Sequence, residues 1–226
     1  MIEVDEGWFG DWSADERFPV TDELLVFIHG WFGDATVRSQ ASTLERSLES
    51  GGYSPDETAA IQWPATTLDS AGAESDTEDV GAVTATLTEE FYDAGGGAVR
   101  LVGHSLGGRC AYWTLTELSS GYEIETVAGL GTAGYSREIC GGPFEAGLDN
   151  ACAVRNYHSR NDPVPEYFYG GYGDTALGHD GADCDPSSNY TDVDVSGGVF
   201  SHLSYLDDDA VGTDLAGAIT TGSCTD

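Results

Sequence analysis

Lysine is absent from this chain of 226 residues, and its basic side chains are eight arginines set against forty Asp and Glu residues. The formal net charge of −32 repels polyanions, which argues against nucleic acid or an anionic membrane surface as a partner. The acidic residues are spread along the whole sequence, so one solvated acidic face does not account for them. The composition predicts that the protein comes from an extreme halophile. At about 1 M salt the Debye length falls to about 3 Å, and repulsion between the carboxylates is screened.

Long apolar runs are missing as well. No segment approaches the roughly 20 apolar residues that a helix needs to cross a bilayer, so we expect no transmembrane segment. No Cys-x2-Cys pair and no two histidines at ligand spacing occur, so we expect no metal site and no cofactor. The acidic clusters at residues 180–185 and 207–209 are interpreted as solvated surface rather than as weak cation sites. The start Met1-Ile-Glu-Val-Asp lacks the basic and apolar regions of a signal peptide, which favours a cytoplasmic location over secretion with removal of a leader.

Five cysteines are present. Cys110 falls in a predicted helix, where a small buried residue packs well, and we expect a free thiol there. The other four lie in loop-like contexts and allow three pairings. We favour Cys140–Cys152 together with Cys184–Cys224. Disulfides of this kind are typical of an oxidising compartment, in contrast to the cytoplasmic expectation.

Apolar runs alternate with helical patterns, which is typical of an α/β fold with a mainly parallel central sheet and helices on both faces. The length is sufficient for a sizeable core, and we predict one domain over residues 1–226. Strands are predicted near 24–29, 59–63, 98–103, 124–130, 152–158 and 191–195. Helices are predicted near 35–50, 77–94, 106–120 and 207–220. Residues 1–20, with Trp8, Phe9 and Trp12, are expected to form an edge strand or to lie against the core.

The segment Gly103-His-Ser105-Leu-Gly107 follows a predicted strand and precedes a predicted helix. Gly-x-Ser-x-Gly in this context is the pattern of a nucleophile elbow, a sharp turn that exposes the serine hydroxyl over the end of the sheet. Glycines flank the serine because the turn leaves little room for Cβ atoms. The N-terminus of the next helix adds positive partial charge where an oxyanion would form. The pattern therefore predicts Ser105 as a catalytic nucleophile.

An oxyanion hole of this type combines the N–H after the nucleophile with an N–H from a loop after an earlier strand. Leu106 supplies the first donor. The apolar run that ends near residue 29 continues into His29-Gly30-Trp31-Phe32-Gly33, and Trp31 is the predicted second donor. We interpret the side chain of His29 as a hydrogen-bonded part of the scaffold.

An acid and a base are expected after the nucleophile, in the order serine, acid, histidine. Asp162 follows a predicted strand at a turn that contains Pro163 and Pro165, and it is the predicted acid. His202 follows the last predicted strand and is the predicted base, which would take the proton from the serine and return it to the leaving group. His179 is the alternative base, because it lies in a loop that could overhang the site.

Three further segments are interpreted as insertions. Residues 65–79 are small, polar and acidic and are expected to form an exposed loop. Residues 134–150 are short, so we expect little or no lid. Residues 166–189 are expected at the rim of the site, as an apolar wall for an acyl group or as a surface loop packed on the scaffold. The apolar side chains of that last segment are Tyr167, Phe168, Tyr169, Tyr172 and Leu177.

Over about residues 24–220 the chain resembles a serine hydrolase of the α/β-hydrolase superfamily, and in particular its lipases, its esterases and a branch of microbial members of unassigned substrate. The motifs that carry the resemblance are Phe27-Ile-His-Gly30, Gln62-Trp63-Pro64, Gly103-His-Ser-Leu-Gly-Gly-Arg109, Ser159-Arg-Asn-Asp162 and Ser201-His202. The resemblance implies the α/β-hydrolase fold, a Ser-His-Asp triad and no cofactor. The His-Gly-Gly-Gly loop of some esterases is absent, which makes those subfamilies less fitting.

Residues and resemblance together predict hydrolysis of a small-molecule or lipid carboxylic ester through an acyl-enzyme intermediate. A thioesterase, amidase or peptidase would use the same triad, and these activities remain alternatives. A binding module that keeps the hydrolase fold without catalysis is the alternative from another class of function.

Overall fold

The computed structural model describes residues 1–65, 70–171, 173–222 and 224. Its strands are β1 (Ile2–Glu6), β2 (Trp12–Ala14), β3 (Glu23–Ile28), β4 (Glu57–Gln62), β5 (Ala98–His104), β6 (Thr126–Leu130), β7 (Val154–His158) and β8 (Tyr190–Asp194). They form one eight-stranded sheet in the order β2-β1-β4-β3-β5-β6-β7-β8. Each neighbouring pair is parallel except β1 with β2. The mainly parallel sheet that the alternation of elements predicts is confirmed.

Helices cover both faces of this sheet. They are α1 (Val37–Ser50), α2 (Ser70–Asp93), α3 (Leu106–Glu117), α4 (Ser136–Ile139), α5 (Pro163–Tyr169), α6 (Leu177–Asp180) and α7 (Asp209–Thr221), with short 3-10 helices at Ala146–Asn150 and Ser204–Leu206. Core side chains of α2 and α3 share one cluster, and those of α1 and α7 share another. No helix in the described part of the chain is long and apolar enough to cross a bilayer.

The central strand β3 shows why the sheet is buried on both sides. Leu24, Val26 and Ile28 belong to the cluster under α2 and α3, whereas Leu25 and Phe27 belong to the cluster under α1 and α7. All five side chains are fully buried, and each contributes roughly 1.5–3 kcal/mol by leaving water. A continuous apolar run is what a parallel strand between two helical layers requires.

The parallel register gathers the candidate residues at one edge of the sheet. Strands β3, β5, β7 and β8 all point the same way, so the loops after them emerge at their carboxyl ends. Those loops carry Trp31, Ser105, Asp162 and His202, respectively. Sites in open α/β sheets form at this edge.

Two predictions about local structure need correction. The segment 65–79 is not an exposed loop throughout: residues 66–69 lie outside the described residues, and α2 already begins at Ser70, with Ala73 fully buried. The N-terminal residues form the edge strand β2, as expected, and its neighbour β1. Trp12 packs against the core, whereas Trp8 and Phe9 are 95% and 92% exposed and do not.

The predicted disulfide pairing is wrong. The sulfurs join Cys140 to Cys184 and Cys152 to Cys224, with Cα atoms 5.9 and 5.0 Å apart, while Cys110 is the buried free thiol that was expected. Cys140 directly follows α4, and the Asp183 N–H, next to Cys184, donates to the hydroxyl of Ser136 in α4 at 2.5 Å. The end of α7 lies beside the start of β7 and brings the other two together. Tertiary contacts between distant segments decide this pairing, and sequence spacing does not record them.

Candidate active site

Ser105 lies on a strained turn between β5 and α3, with φ 58° and ψ −121°. A side chain on such backbone costs about 1–3 kcal/mol, so the surroundings must hold it in place. Here the Ser105 N–H donates to the Leu130 carbonyl at 3.0 Å, and the Ser105 carbonyl accepts from the Ala133 N–H at 3.1 Å. A Cβ on Gly103 would overlap the carbonyl of Gly107. The turn is therefore as tight as the glycine spacing predicts.

The loop after β3 passes directly beside Ser105. A Cβ on Gly30 would lie 2.5 Å from the Ser105 Cβ and 2.8 Å from the His104 carbonyl oxygen, so only glycine permits this approach. Trp31 follows immediately and lines the same cavity as Ser105 and Leu106. Leu106 begins α3, and the first N–H groups of a helix have no intrahelical acceptor. The segments that carry both predicted oxyanion donors thus meet at the serine.

Asp162 and His202 form a short hydrogen-bonded pair. The His202 Nδ1–H donates to Asp162 Oδ2 at 2.6 Å, and the Val164 N–H donates to Asp162 Oδ1 at 3.1 Å. Asp162 is fully buried, so both oxygens of its carboxylate have partners within the fold. His202 Nε2 is buried and has no hydrogen-bond partner among the described residues. That nitrogen is therefore available to accept a proton from a group in the cavity that His202 shares with Ser105.

Hydrogen bonds between the loop after β7 and the loop after β8 hold Asp162 and His202 in position. The Ser159 hydroxyl donates to the Val199 carbonyl at 2.7 Å, and the Asn161 amide donates to the Ser196 carbonyl at 2.7 Å. Together they fasten the loop after β7, which ends in Asp162, to the loop after β8. Nothing in the sequence spacing indicates these contacts.

The alternative base, His179, is engaged elsewhere. Its Nε2–H donates to the Arg160 carbonyl at 3.1 Å, and its Nδ1 lies 3.1 Å from Asp180 Oδ2. It does not line the cavity that contains Ser105, whereas His202 does. The geometry therefore favours His202 as the predicted base.

His29 has the contacts of a scaffold residue. It is fully buried, its Nδ1–H donates to the Gly30 carbonyl at 2.7 Å, and its Nε2 accepts from the Trp63 N–H at 3.2 Å. The Trp63 indole N–H donates in return to the His29 carbonyl at 2.9 Å. Burial lowers the pKa of His29, which suits a neutral ring that both donates and accepts. The ring fixes the start of the loop that carries Trp31.

The cavity beside Ser105 is small and mostly apolar. Its volume is about 100 Å³, less than the roughly 150 Å³ of a cavity that holds benzene. Its lining consists of Trp31, Ser105, Leu106, Ala133, Val164, Pro165, Phe168, Tyr169 and His202. Sequence reasoning missed Ala133, Val164 and Pro165, because small and aliphatic side chains in a loop or a short helix give no signal of a binding site.

One wall of the cavity comes from α5, which begins the segment interpreted as a rim. Phe168 and Tyr169 both line the cavity, which supports the interpretation of this part as an apolar wall. Leu177, further along the segment, is fully buried in the core, as expected of a segment packed on the scaffold. Tyr172, named in the same segment, lies outside the described residues. Residues 134–150 form α4 and a short 3-10 helix, and Phe144 there is buried against α3 rather than placed over the site.

A partly buried polar network fastens this wall to the helix behind Ser105. The Tyr169 hydroxyl donates to Glu74 Oε2 at 3.0 Å, and Glu74 Oε1 lies 3.5 Å from Arg109 Nη2. Arg109 Nη1 donates to Glu138 Oε2 at 2.6 Å, and only 8% of the Arg109 side chain is exposed. Arg109 thus holds the Glu74 carboxylate in place, and that carboxylate accepts the Tyr169 hydroxyl, so the network favours one position of Tyr169.

His104 supports the backbone of His202. Its Nε2–H donates to the His202 carbonyl at 2.6 Å, and the two ring centroids lie 4.7 Å apart. Burial, with a further contribution from the nearby His202, lowers the pKa of His104 to about 3. His104, which precedes Ser105 in the Gly-x-Ser-x-Gly pattern, is therefore neutral and positions the backbone of His202. The sequence pattern did not indicate this role.

This burial makes stability depend on pH. The unfolded chain has a His104 pKa near 6.5 and the folded chain about 3, so below pH 6.5 the unfolded state binds a proton that the folded state does not. His104 should make the free energy of unfolding fall by up to about 1.4 kcal/mol per pH unit on acidification, and His29, whose pKa burial also lowers, adds to this slope. Denaturant unfolding between about pH 6.5 and 5, above most carboxylate titration, measures this slope. His104→Gln keeps an N–H donor and should flatten the slope; an unchanged slope would contradict the assignment.

A resident metal is not assigned to this chain. In the part of the chain that the structure describes, one group of three potential ligands occurs: Glu123, Cys152 and Cys224. The two sulfurs are joined in a disulfide, which removes them as thiolate ligands. The residues around Ser105 offer a hydroxyl, an imidazole and backbone N–H groups.

No family model and no curated protein matches this chain. Its fold matches solved structures. TT1662 from Thermus thermophilus has 14% identity and a TM-score of 0.57 over 99% of this chain and 100% of that one. An acetylxylan esterase has 16% identity and a TM-score of 0.54 over 89% and 99%, and a Pyrobaculum calidifontis esterase has 14% identity and a TM-score of 0.52 over 98% and 84%. At these identities the likeness concerns architecture alone, and by that architecture the chain has the α/β-hydrolase fold.

Proposed function

We propose that this chain is a serine hydrolase that cleaves carboxylic esters with a small acyl group. One observation carries the proposal: a single cavity joins Ser105, on its strained turn, to His202, whose ring is held by the buried Asp162. A nucleophile and a base with an orienting acid behind it form the constellation used for acyl transfer. Two structures that share the fold are named esterases, which agrees with the proposal.

In the first half of the reaction, Ser105 Oγ attacks the carbonyl carbon of the ester while His202 Nε2 takes the hydroxyl proton. Asp162 accepts the Nδ1–H of the resulting imidazolium and stabilises its charge. The N–H groups of Leu106 and Trp31 donate to the developing oxyanion, each worth about 3 kcal/mol in a site of this kind. The C–O bond to the alcohol then breaks, and His202 returns the proton to the departing alcohol oxygen.

In the second half, water attacks the acyl-enzyme carbon and gives a proton to His202 Nε2. The same two N–H groups stabilise the second oxyanion. The bond to Ser105 Oγ breaks, the serine regains its proton from His202, and the carboxylic acid leaves. One water is consumed and one ester yields one acid and one alcohol.

The cavity sets the size of the acyl group. A volume of about 100 Å³ lined by apolar side chains suits an acetyl to butyryl chain, while an octanoyl chain would extend beyond it. The partly buried network behind Tyr169 opposes expansion of that wall, because moving Tyr169 breaks its hydrogen bond to Glu74. We therefore place the enzyme among short-chain esterases rather than lipases of long-chain esters.

Hydrolysis of p-nitrophenyl acetate, butyrate, octanoate and palmitate in about 3 M KCl tests this function. We expect the acetate and butyrate to be cleaved, and kcat/KM to fall at least about tenfold from butyrate to octanoate, because extra methylenes find no room. A fluorophosphonate should form one adduct, which peptide mass spectrometry assigns to Ser105.

The outcomes separate the alternatives. Folded protein that neither labels nor turns over any ester would contradict the proposal and identify a non-catalytic module. Labelling at Ser105 without ester turnover would contradict the substrate class, and acetyl thioester and anilide substrates would then measure thioesterase and amidase activity. Faster cleavage of palmitate than of butyrate would contradict the size limit.

A further inference from the structure

Four aromatic rings form a continuous row from the cavity to the surface. Phe32 packs on Trp31 with ring centroids 4.7 Å apart, and the Trp31 ring meets Phe168 edge to face at 5.8 Å. Phe168 in turn contacts Tyr167 at 5.0 Å. Trp31 and Phe168 line the cavity, whereas Phe32 and Tyr167 continue the row beyond it. We call these four residues the aromatic row.

The outer part of this row is exposed to solvent. Phe32 is 48% exposed, Phe168 44% and Tyr167 82%. The rest of the surface belongs to a chain with forty acidic residues, so this concentration of rings beside the cavity is a local departure from the general composition. Phe200 and Leu203, close to His202 in the chain, are also exposed. Contiguous exposed apolar surface beside a site is typical of a binding groove.

Backbone strain gives independent support. Phe32 has φ 57°, a conformation that glycine adopts freely and a bulky residue does not. Its N–H donates to the Ala65 carbonyl at 3.1 Å, which holds the loop in this form. The ring packs on Trp31 and is otherwise half exposed, so the core does not require a benzyl group at this position. Strain that holds an exposed ring beside the cavity indicates a binding role for that ring.

The proposed reaction indicates which part of a substrate meets the row. The acyl group stays attached to Ser105 until water attacks, while the alcohol leaves first. The cavity of about 100 Å³ beside Ser105 suits the acyl group, so the alcohol, which must leave first, extends from it toward solvent. The exposed rings of Phe32, Phe168 and Tyr167 border that cavity or contact a ring that lines it, and they can stack on an aromatic or cyclic partner.

We infer that the aromatic row binds the alcohol part of the substrate, and that the substrate class is a small-acyl ester of a bulky, uncharged aromatic or cyclic alcohol. The inference rests on the proposed function. The net charge of −32 disfavours an anionic alcohol, and the rings offer no partner for one.

Two acetates of primary alcohols test the inference: 2-phenylethyl acetate and propyl acetate, assayed in about 3 M KCl. They share the acyl group and have similar leaving groups, so their ratio of kcat/KM reports the phenyl ring. We expect a ratio of at least about ten, which corresponds to about 1.4 kcal/mol of differential binding. Tyr167→Ser should lower this ratio at least about threefold. Phe9→Ser removes another exposed phenylalanine, in the turn between β1 and β2, and should leave kcat/KM for both acetates unchanged.

Phe32→Gly separates a binding role from a structural one. Glycine relieves the positive φ, so the thermal unfolding midpoint should equal or exceed that of the wild type while the ratio of the two acetates falls. A lower midpoint with an unchanged ratio would identify Phe32 as structural and overturn the inference.

The remaining outcomes are also decisive. Equal kcat/KM for both acetates, in protein that hydrolyses both, overturns the inference but not the proposed function. Hydrolysis of neither acetate nor any p-nitrophenyl ester overturns the proposed function itself. Sedimentation that shows a dimer dissociated by Tyr167→Ser would mean that a second copy of the chain covers the row, and would overturn the inference.

Discussion

Replacing Ser105 with alanine should lower kcat for p-nitrophenyl butyrate by at least about 10⁴-fold, because the proposed mechanism forms the acyl-enzyme on the Ser105 Oγ. Alanine keeps the Cβ and the backbone of the turn, so the hydrogen bonds to Leu130 and Ala133 remain and the unfolding midpoint should not move. Any residual rate would come from the N–H donors and from substrate binding. Steady-state kinetics and a thermal melt of the same preparation measure both parts.

Two further variants test whether Ser105, Asp162 and His202 act together in catalysis. Asp162→Asn should lower kcat by about 10⁴-fold, because His202 loses the charged acceptor that fixes its tautomer. The double variant Ser105→Ala/Asp162→Asn should be no slower than Ser105→Ala alone, since the effects on kcat of residues that act together are not additive. Ser39→Ala, on the exposed surface of α1, is the matched control and should retain full activity. Retention of more than about 1% of the rate by Ser105→Ala would contradict the mechanism.

The sequence predicted those features that local pattern encodes. A buried parallel strand needs apolar side chains toward both faces, so Leu24–Ile28 could be recognised as a run. The elbow could be recognised because its turn excludes Cβ atoms at fixed spacing around Ser105. Chain order then indicated Asp162 and His202, which the structure brings within hydrogen-bond distance of each other.

Features that depend on tertiary contact could not be predicted in this way. The first turns of α2 are small, polar and acidic, and they resemble a loop until Ala73, Thr77 and Val80 are seen buried along one face. Helical spacing of small residues is too weak a signal without the partner helix α3. The pairing of Cys140 with Cys184 follows from two loops that lie side by side, which no spacing rule records.

Low salt should destabilise this protein. Forty carboxylates face only eight arginines, so most acidic side chains have no cationic partner whatever the fold. Between about 0.1 and 2 M KCl the Debye length falls from about 10 Å to below 3 Å, and repulsion between surface carboxylates is screened. We expect the thermal unfolding midpoint to rise by at least about 10 °C over this range, which for a chain of this size corresponds to about 3–5 kcal/mol. Calorimetry in a KCl series measures the rise, and equal midpoints at the two ends would contradict the proposed adaptation to salt.

Substitutions on helix α2 test whether repulsion between its carboxylates lowers stability at low salt. A comparison of KCl with sucrose separates the screening of charge from a general stabilising effect of added solute. Its residues 70–93 include seven Asp and Glu and no arginine. Sucrose strengthens burial without screening charge, so it should stabilise less than KCl. Neutralising the exposed pair by Glu78→Gln and Asp79→Asn should raise the midpoint by about 1–3 °C in about 0.1 M KCl and by less in about 2 M. Glu90→Gln should raise it less, because Glu90 already lies 3.1 Å from Arg17 and its removal takes away a partner as well as a repulsion. If the α2 pair gave the same gain at both salt concentrations, its effect would be helix propensity rather than charge, and the salt dependence would need a source elsewhere in the chain.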